Sequence, residues 1–400
     1  MKSKPNLIRY GGSVCGKEEE NAIMASVKKS IKSGNWQASD EARLMEKEAC
    51  KYLNVKHGIL TTSGSCAGLL ALNALELQRG SEVIISAVTF PTIFNIILQL
   101  GLVPVVVDAK IGTYNFDVKE VEKAITKKTG AIIAVHAVGN PCDMPALMKV
   151  ARKHKIYVIE DNCDGWGSSI DGKMVGSFGD ISITSFHAAH IVSMGVGGGV
   201  FTNNEGLSKK VRMYRDWGRQ ADINKSENKK WKTLPKDYNP RFIYEKIGYN
   251  FQILELQASM GRVQLKRTEA IKKARKSNFD YLVKHLSKHK DLIMPKSVKG
   301  ADVCWFSFPL TVRGDRGSLL KHLEKRGLET RPMFAGNIIK HPCYKDSKFR
   351  IGSKLNEADI ILTNSFWISL HPLLTVIDRR RIIKAFDDFF TPSNTRTSNK

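Results

Sequence analysis

No stretch of this chain approaches the roughly 18 consecutive apolar residues that a membrane-spanning helix needs. Met1-Lys2-Ser3-Lys4-Pro5 leads into no apolar segment of the kind that directs secretion. A soluble cytoplasmic protein without membrane contact is expected. Cysteine is sparse, seven in 400 residues, at 15, 50, 66, 142, 163, 304 and 343. The count is odd and no two form a C-x-x-C pair, which argues against a disulfide framework and against a zinc or compact iron–sulfur site. Free thiols and no bound metal are expected. Acidic residues are also few, 39 Asp and Glu against 63 Lys and Arg, for a formal charge of +24. Such an excess can mark a nucleic-acid binder. Here the lysines are scattered, with mild clusters at Lys272-Lys273-Ala274-Arg275-Lys276 and Asn228-Lys229-Lys230 and no helix-turn-helix or zinc-finger spacing. The basic excess reads as a solvated surface that attracts an anionic small molecule, with no nucleic-acid partner.

What the chain does have is length and rhythm. Four hundred residues, 42% hydrophobic, fit one large domain and a smaller one. Between about 57 and 201, short β-branched runs at 58–62, 83–86, 103–107, 131–136, 157–160, 181–186 and 198–201 alternate with helical patterns such as 67–77, 118–124 and 144–154. This spacing predicts an α/β fold, a mostly parallel seven-stranded sheet with helices on both faces. Residues 220–245 are rich in Lys, Asn and Pro and predict a long surface loop. A long helical stretch over about 253–289 bridges to a small C-terminal α+β domain, with a strand-like run at 304–312 and helices near 317–326 and 376–388. The expected division is 1–260 and 261–391, with a disordered tail at 392–400.

Candidate site residues fall after the strands, where open α/β sheets bind ligands. Glu160-Asp161-Asn162-Cys163-Asp164 places carboxylates where a metal, a ribose or a pyridinium nitrogen could be held. Thr62-Ser63-Gly64-Ser65-Cys66-Ala67 joins a strand to a helix start. Its free N–H groups suit a phosphate, although an ordinary N-cap at Ser63 or Ser65 explains the same residues. Phe90 follows another strand, as a stacking ring or a core residue.

Taken together, Ser185-Phe186-His187-Ala188-Ala189-His190, Met194-Gly195-Val196-Gly197-Gly198-Gly199, Gly248-Tyr249-Asn250, Arg215-Asp216-Trp217-Gly218-Arg219 and Arg331-Pro332-Met333-Phe334-Ala335-Gly336-Asn337 resemble the DegT/DnrJ/EryC1/StrS sugar aminotransferases, pyridoxal-phosphate enzymes of fold type I. The resemblance spans roughly residues 10–390. In that family the motif reads S-F-H-x-x-K, and the lysine holds the cofactor. Here the lysine slot holds His190, which cannot form that bond but can move protons near neutral pH. The same change marks the 3-dehydratases of nucleotide-linked 4-keto-6-deoxyhexoses.

The resemblance implies pyridoxamine or pyridoxal phosphate as cofactor, held by Gly64, Ser65, Cys66 and Ser185 at its phosphate, Asp161 at its ring nitrogen and Asp164 near its ring hydroxyl. Phe90 would stack on the ring. Asn250 would reach the neighbouring site of a homodimer. His187, Arg219, Arg331 and Asn337 are the substrate candidates, and His190 is the base that becomes an acid. Two departures bear on turnover. The related CDP-sugar enzymes carry four cysteines for a [2Fe–2S] cluster, mostly in the loop after Arg219, where this chain has none. The related GDP-sugar enzymes regenerate the cofactor with glutamate and carry an arginine where this chain has Gln252. The cluster-free route is favoured, with glutamate as candidate amino donor. Val196 also replaces the acid of G-E-G-G. A family member with altered or lost catalysis is the alternative.

Overall fold

The computed structural model describes residues 7–219, 233–235 and 237–391. The expected tail at 392–400 and positions 220–232 and 236 of the expected loop lie outside these. Helices α1 (Lys17–Ser33) and α2 (Asp40–Leu53) precede the first strand. The alternating region then runs β1 (His57–Thr61), α3 (Gly64–Ala74), β2 (Glu82–Ser86), α4 (Pro91–Gln99), β3 (Val103–Val107), α5 (Val118–Ala124), β4 (Thr129–Val135), α6 (Met144–His154) and β5 (Tyr157–Asp161). Two short strands, β6 (Ser169–Ile170) and β7 (Lys173–Met174), lead to β8 (Ile181–Ser185), β9 (Gly198–Thr202) and α7 (Glu205–Arg215). The remainder comprises α8 (Glu255–Lys266), α9 (Thr268–Leu286), β10 (Leu292–Ile293), β11 (Ala301–Asp302), β12 (Phe308–Val312), α10 (Arg316–Lys325), β13 (Arg331–Pro332), β14 (Arg350–Ile351), α11 (Asn356–Asn364), β15 (Ser365–Ile368) and α12 (Val376–Phe390).

All seven expected strands form one sheet in the order β1-β9-β8-β5-β4-β2-β3-β14. The sheet has eight strands rather than seven, because β14 arrives from the C-terminal segment and pairs in parallel with β3, Arg350 opposite Val105. Only β9 runs against its neighbours. The apolar runs are buried on both faces: β2 is buried at every position and Ile84, Val105, Val106, Ile132 and Val158 have no exposed surface, as a sheet covered on both sides demands. A second, antiparallel sheet has the order β10-β12-β15-β13.

Three local expectations shift. The strand expected at 304–312 is confined to Phe308–Val312. The helix expected from 67 begins at Gly64, so Gly64, Ser65 and Cys66 form its first turn rather than a preceding loop. The bridging helix is two helices, α8 and α9, broken at Arg267. Residues 233–235 and 237–245 hold no strand or α-helix, only a short 3-10 turn at Pro240–Phe242.

Candidate active site

The carboxyl ends of β1, β2, β4, β5 and β8 open into one cleft of about 570 Å3, walled on its far side by β13, β15 and the Phe306 and Phe334 loops. Gly64, Ser65, Phe90, Asp161, Asp164, Ser185, His187, His190 and Arg331 all line it.

The turn after β1 makes the Ser63 N-cap considered from sequence and also lines the cleft. Ser63 Oγ accepts the Cys66 N–H at 3.1 Å and caps α3. The N–H groups of Gly64 and Ser65 stay open at the helix start, where the dipole favours an anion. A Cβ on Gly64 would lie 2.7 Å from Ser185 Cβ and 3.2 Å from Cys163 Sγ. Only glycine lets these three strand ends meet so closely. Cys66 does not line the cleft; its Sγ accepts the Thr62 hydroxyl at 3.3 Å.

The adjacent acids at the end of β5 have opposite fates. Glu160 has no exposed surface, and its carboxylate accepts the N–H groups of Gly176, Phe178 and Gly179 at 2.7 Å each. His136 Nε2 lies 3.1 Å from it. Because His136 Nδ1 accepts the Cys142 N–H at 3.1 Å, its proton sits on Nε2 and is donated to Glu160. That carboxylate is saturated. Asp161 faces the cleft and accepts only the Cys163 N–H, at 3.1 Å, besides its contact with the Cys163 thiol. Burial, and then the charge of Asp164, hold its carboxyl above the usual range. Of the two acids it is the one that lines the cleft.

Phe90, at the N-cap of α4, is 57% exposed, so it is a ring offered to the cleft and not a core residue. His190 packs against Phe306, with centroids 5.4 Å apart, and its Nδ1 lies 3.3 Å from Asp164 Oδ1 without hydrogen-bond alignment. Asp164 Oδ2 is buried and unpartnered. His187 lies 6.2 Å from His190, and partial desolvation and that neighbour hold its imidazole below the usual value. Among the described residues, no lysine lines the cleft.

Three sequence candidates fall elsewhere. Asn337 is buried with its amide donating to Asp359 at 2.7 Å. Arg219 is ringed by Trp217, Phe242 and Tyr244, at 4.8, 5.4 and 5.5 Å. Asn250 is exposed and bridges to Asp216. None lines its own chain's cleft. Gln252 donates to Asp216 Oδ1 at 2.8 Å, and Arg215 binds both oxygens of that aspartate. Sequence reading missed Tyr10, His136, Phe306, Phe334, His341 and Trp367 in the lining. Phe306 and Trp367 sit in ordinary apolar runs and signal nothing on their own, while Phe334 lies within a motif whose arginine and asparagine draw the assignment. Tyr10 lies more than 300 positions from the residue it meets.

The family model for the DegT/DnrJ/EryC1/StrS aminotransferase family matches residues 17–387. The chain belongs to this family. Within it, the lipopolysaccharide biosynthesis protein RfbH of Salmonella typhimurium is 36% identical over 407 aligned positions, covering 96% of this chain and 92% of that protein. The dTDP-4-dehydro-2,6-dideoxy-D-glucose 3-dehydratase of Saccharopolyspora spinosa is 33% identical, over 97% of this chain and 87% of the other. A solved GDP-4-keto-6-deoxymannose-3-dehydratase with a trapped PLP–glutamate geminal diamine superposes at TM-score 0.85 with 25% identity, over 94% of this chain and 99% of that one. The fold is that of the fold type I pyridoxal-phosphate enzymes. No helix among the described residues is long and apolar enough to cross a membrane.

Proposed function

We propose that this family member is a pyridoxamine/pyridoxal phosphate-dependent 3-dehydratase of a nucleotide-linked 4-keto-6-deoxyhexose, acting in deoxysugar biosynthesis with His190 as its acid–base and without an iron–sulfur cluster. One observation carries the reading: the cleft presents an imidazole at position 190, and no lysine among the described residues lines it. The named 3-dehydratases among the relatives support the same reaction class.

The cofactor, when bound, supplies a primary amine and an electron sink. The cleft fits it: an open helix start for the phosphate, a buried cleft-lining acid at Asp161, bonded only to Cys163, for the ring nitrogen, and the Phe90 ring for its face. Asp164 Oδ1 stands 3.3 Å from His190 Nδ1, where a carboxylate beside the imidazole would favour its cationic form once it has taken up a proton. The imidazole takes up a proton and returns it to the hydroxyl leaving carbon 3. Phe306 and the Trp367 wall limit water around His190. The cluster-free route rests on the sequence, in which Cys304 and Cys343 alone follow His190, one buried and one exposed. Glutamate is the proposed amino donor. Gln252 is engaged with Asp216, so the proposed partner for the donor's carboxylate is Arg331, the arginine that lines the cleft.

Two chains complete each site. Asn250 lies outside its own cleft, near an exposed apolar strip that includes Phe242, Tyr244 and Ile247, the last 95% exposed. The test is a mass-spectrometric screen of nucleoside-diphosphate 4-keto-6-deoxyhexoses with protein and pyridoxamine phosphate, with and without glutamate. The expected product is lighter than substrate by one oxygen. A product aminated at carbon 4 with all its oxygens otherwise kept, or no product from any sugar, overturns the proposal.

A further inference from the structure

The cleft's rim is closed by a segment that precedes the family match altogether. Ile8 and Tyr10 run beside residues 327–329, which lead into β13. Ile8 N–H donates to Gly327 O at 2.8 Å, Glu329 N–H to Ile8 O at 3.0 Å, and Ile8 bridges Leu328 in parallel. Further along, Gly12 O lies 3.0 Å from His371 Nε2, and Gly11 passes beside Ala189, the neighbour of His190. The segment is therefore docked at both ends, and Tyr10 stands on it between them, lining the cleft.

Tyr10 meets Arg331 in two ways. The guanidinium lies 4.2 Å over the Tyr10 ring. The Tyr10 N–H donates to Glu329 Oε2 at 2.9 Å, while Glu329 Oε1 accepts from Arg331 Nη2 at 2.6 Å. One carboxylate thus clasps the arm's backbone with one oxygen and the arginine with the other. Arg331 Nη1 reaches the Thr330 carbonyl at 3.2 Å. Two of the five guanidinium N–H donors are engaged, and the rest remain at the lining of the cleft. A long cationic side chain that is 41% exposed would otherwise sample many rotamers. The ring below and the carboxylate at one edge remove that freedom before any ligand arrives.

We infer that Tyr10 is a positioning residue, which with Glu329 holds the Arg331 guanidinium as the receptor for an oxyanion of the reactants, so that the N-terminal arm is part of the substrate site. The inference rests on the dehydratase reading for its ligands, a nucleoside diphosphate or the carboxylate of an amino donor. Both offer the planar oxygen pair that a guanidinium fork matches. His341, which lines the same rim and is tied to the Ala335 carbonyl at 2.7 Å, adds a polar edge beside it.

The test is isothermal titration of CDP, GDP, UDP, dTDP and L-glutamate into the pyridoxamine-phosphate-loaded protein and its Y10L, Y10F, R331M and Y10L/R331M variants. Y10L and R331M are each expected to weaken the tightest nucleoside diphosphate by about tenfold. The double variant should be no weaker than R331M, Y10F should recover the affinity because the ring is kept, and cofactor uptake by absorbance should not change. Loss confined to glutamate assigns the oxyanion to the amino donor and keeps the inference. R331M without loss for any anion, or Y10L binding every anion like wild type, overturns it. If Y10L does not fold, E329A is read by the same criteria. A wild type that binds the nucleotides but never takes up the cofactor defeats the dehydratase reading instead, since the variants still report on the grip.

Discussion

His190 is the residue on which the proposed dehydratase reading turns, and it lines the cleft between Asp164 and Phe306. Asp164 Oδ1 lies 3.3 Å from Nδ1 and Phe306 packs against the ring, so the imidazole is held at the cleft wall where the proposed acid–base role would need it. H190N should lower dehydration by about 10²- to 10⁴-fold while pyridoxamine phosphate still binds; retained turnover, followed by loss of oxygen from the sugar, would refute the role. Asp161 carries a second prediction. Its carboxyl is raised by burial, so its contribution favours the fold at low pH and is lost as pH rises toward its folded value. D161N removes that cost. The cofactor-free variant should melt above wild type at pH 7 to 8, with the gap closing toward pH 4, yet it should bind cofactor about tenfold or more weakly, having lost a charged partner. Calorimetry with and without cofactor reads both. The sequence made these residues legible because they fall at or soon after the carboxyl ends of strands, Asp161 closing β5 and His190 five residues past β8, within motifs that resemble the family's. The resemblance singles out Asp161 over Glu160, but the physical ground for the difference lies in the fold: three N–H groups and an imidazole satisfy Glu160.

Elements were legible where burial enforces a period. The seven runs of β-branched residues in the main sheet could be nothing else over that length. By contrast, β14 is two residues in a polar segment with no period to display. The break at Arg267 comes without glycine or proline, and its cause is tertiary: Arg267 is drawn to Glu18 and Glu19 of α1, at 2.8 and 2.9 Å. A related device caps α2 from a distance. Ser39, its N-cap, makes no side-chain cap bond. Glu255, at the start of α8, accepts the Ser39 N–H, the Ser39 hydroxyl and the Glu41 N–H at 2.6, 2.8 and 2.7 Å. Burial alone would raise this carboxyl, but the N–H donors outweigh it and hold it below the usual range. Its stabilisation is therefore present above the unfolded-state value and lost as pH falls through the folded one. E255A should cost about 2–3 kcal/mol at pH 7 by stranding these donors, and the difference from wild type in urea melts should narrow in acid.

At the scale of the whole molecule, the charge of +24 and the apolar strip around Ile247 point to different partners. The charge draws anionic reactants over a distance set by salt, so kcat/KM for a nucleotide sugar should fall between 0.05 and 0.5 M sodium chloride while kcat holds. On the proposed shared-site reading the strip would face a second copy. I247E should shift the protein toward monomer in sedimentation and lower cofactor retention as well, since Asn250 is then denied its neighbour's site; an unchanged dimer would count against that interface.

The pairing of β14 with β3 has a consequence for any shortened version of this chain. Residues 350–351 sheathe the outer edge of a strand that is apolar throughout, Val103-Pro104-Val105-Val106-Val107. A product terminated before Arg350 would leave that edge bare, a ready seam for other molecules to stitch onto. It would be expected to come out of cells as inclusion bodies rather than as a smaller folded protein.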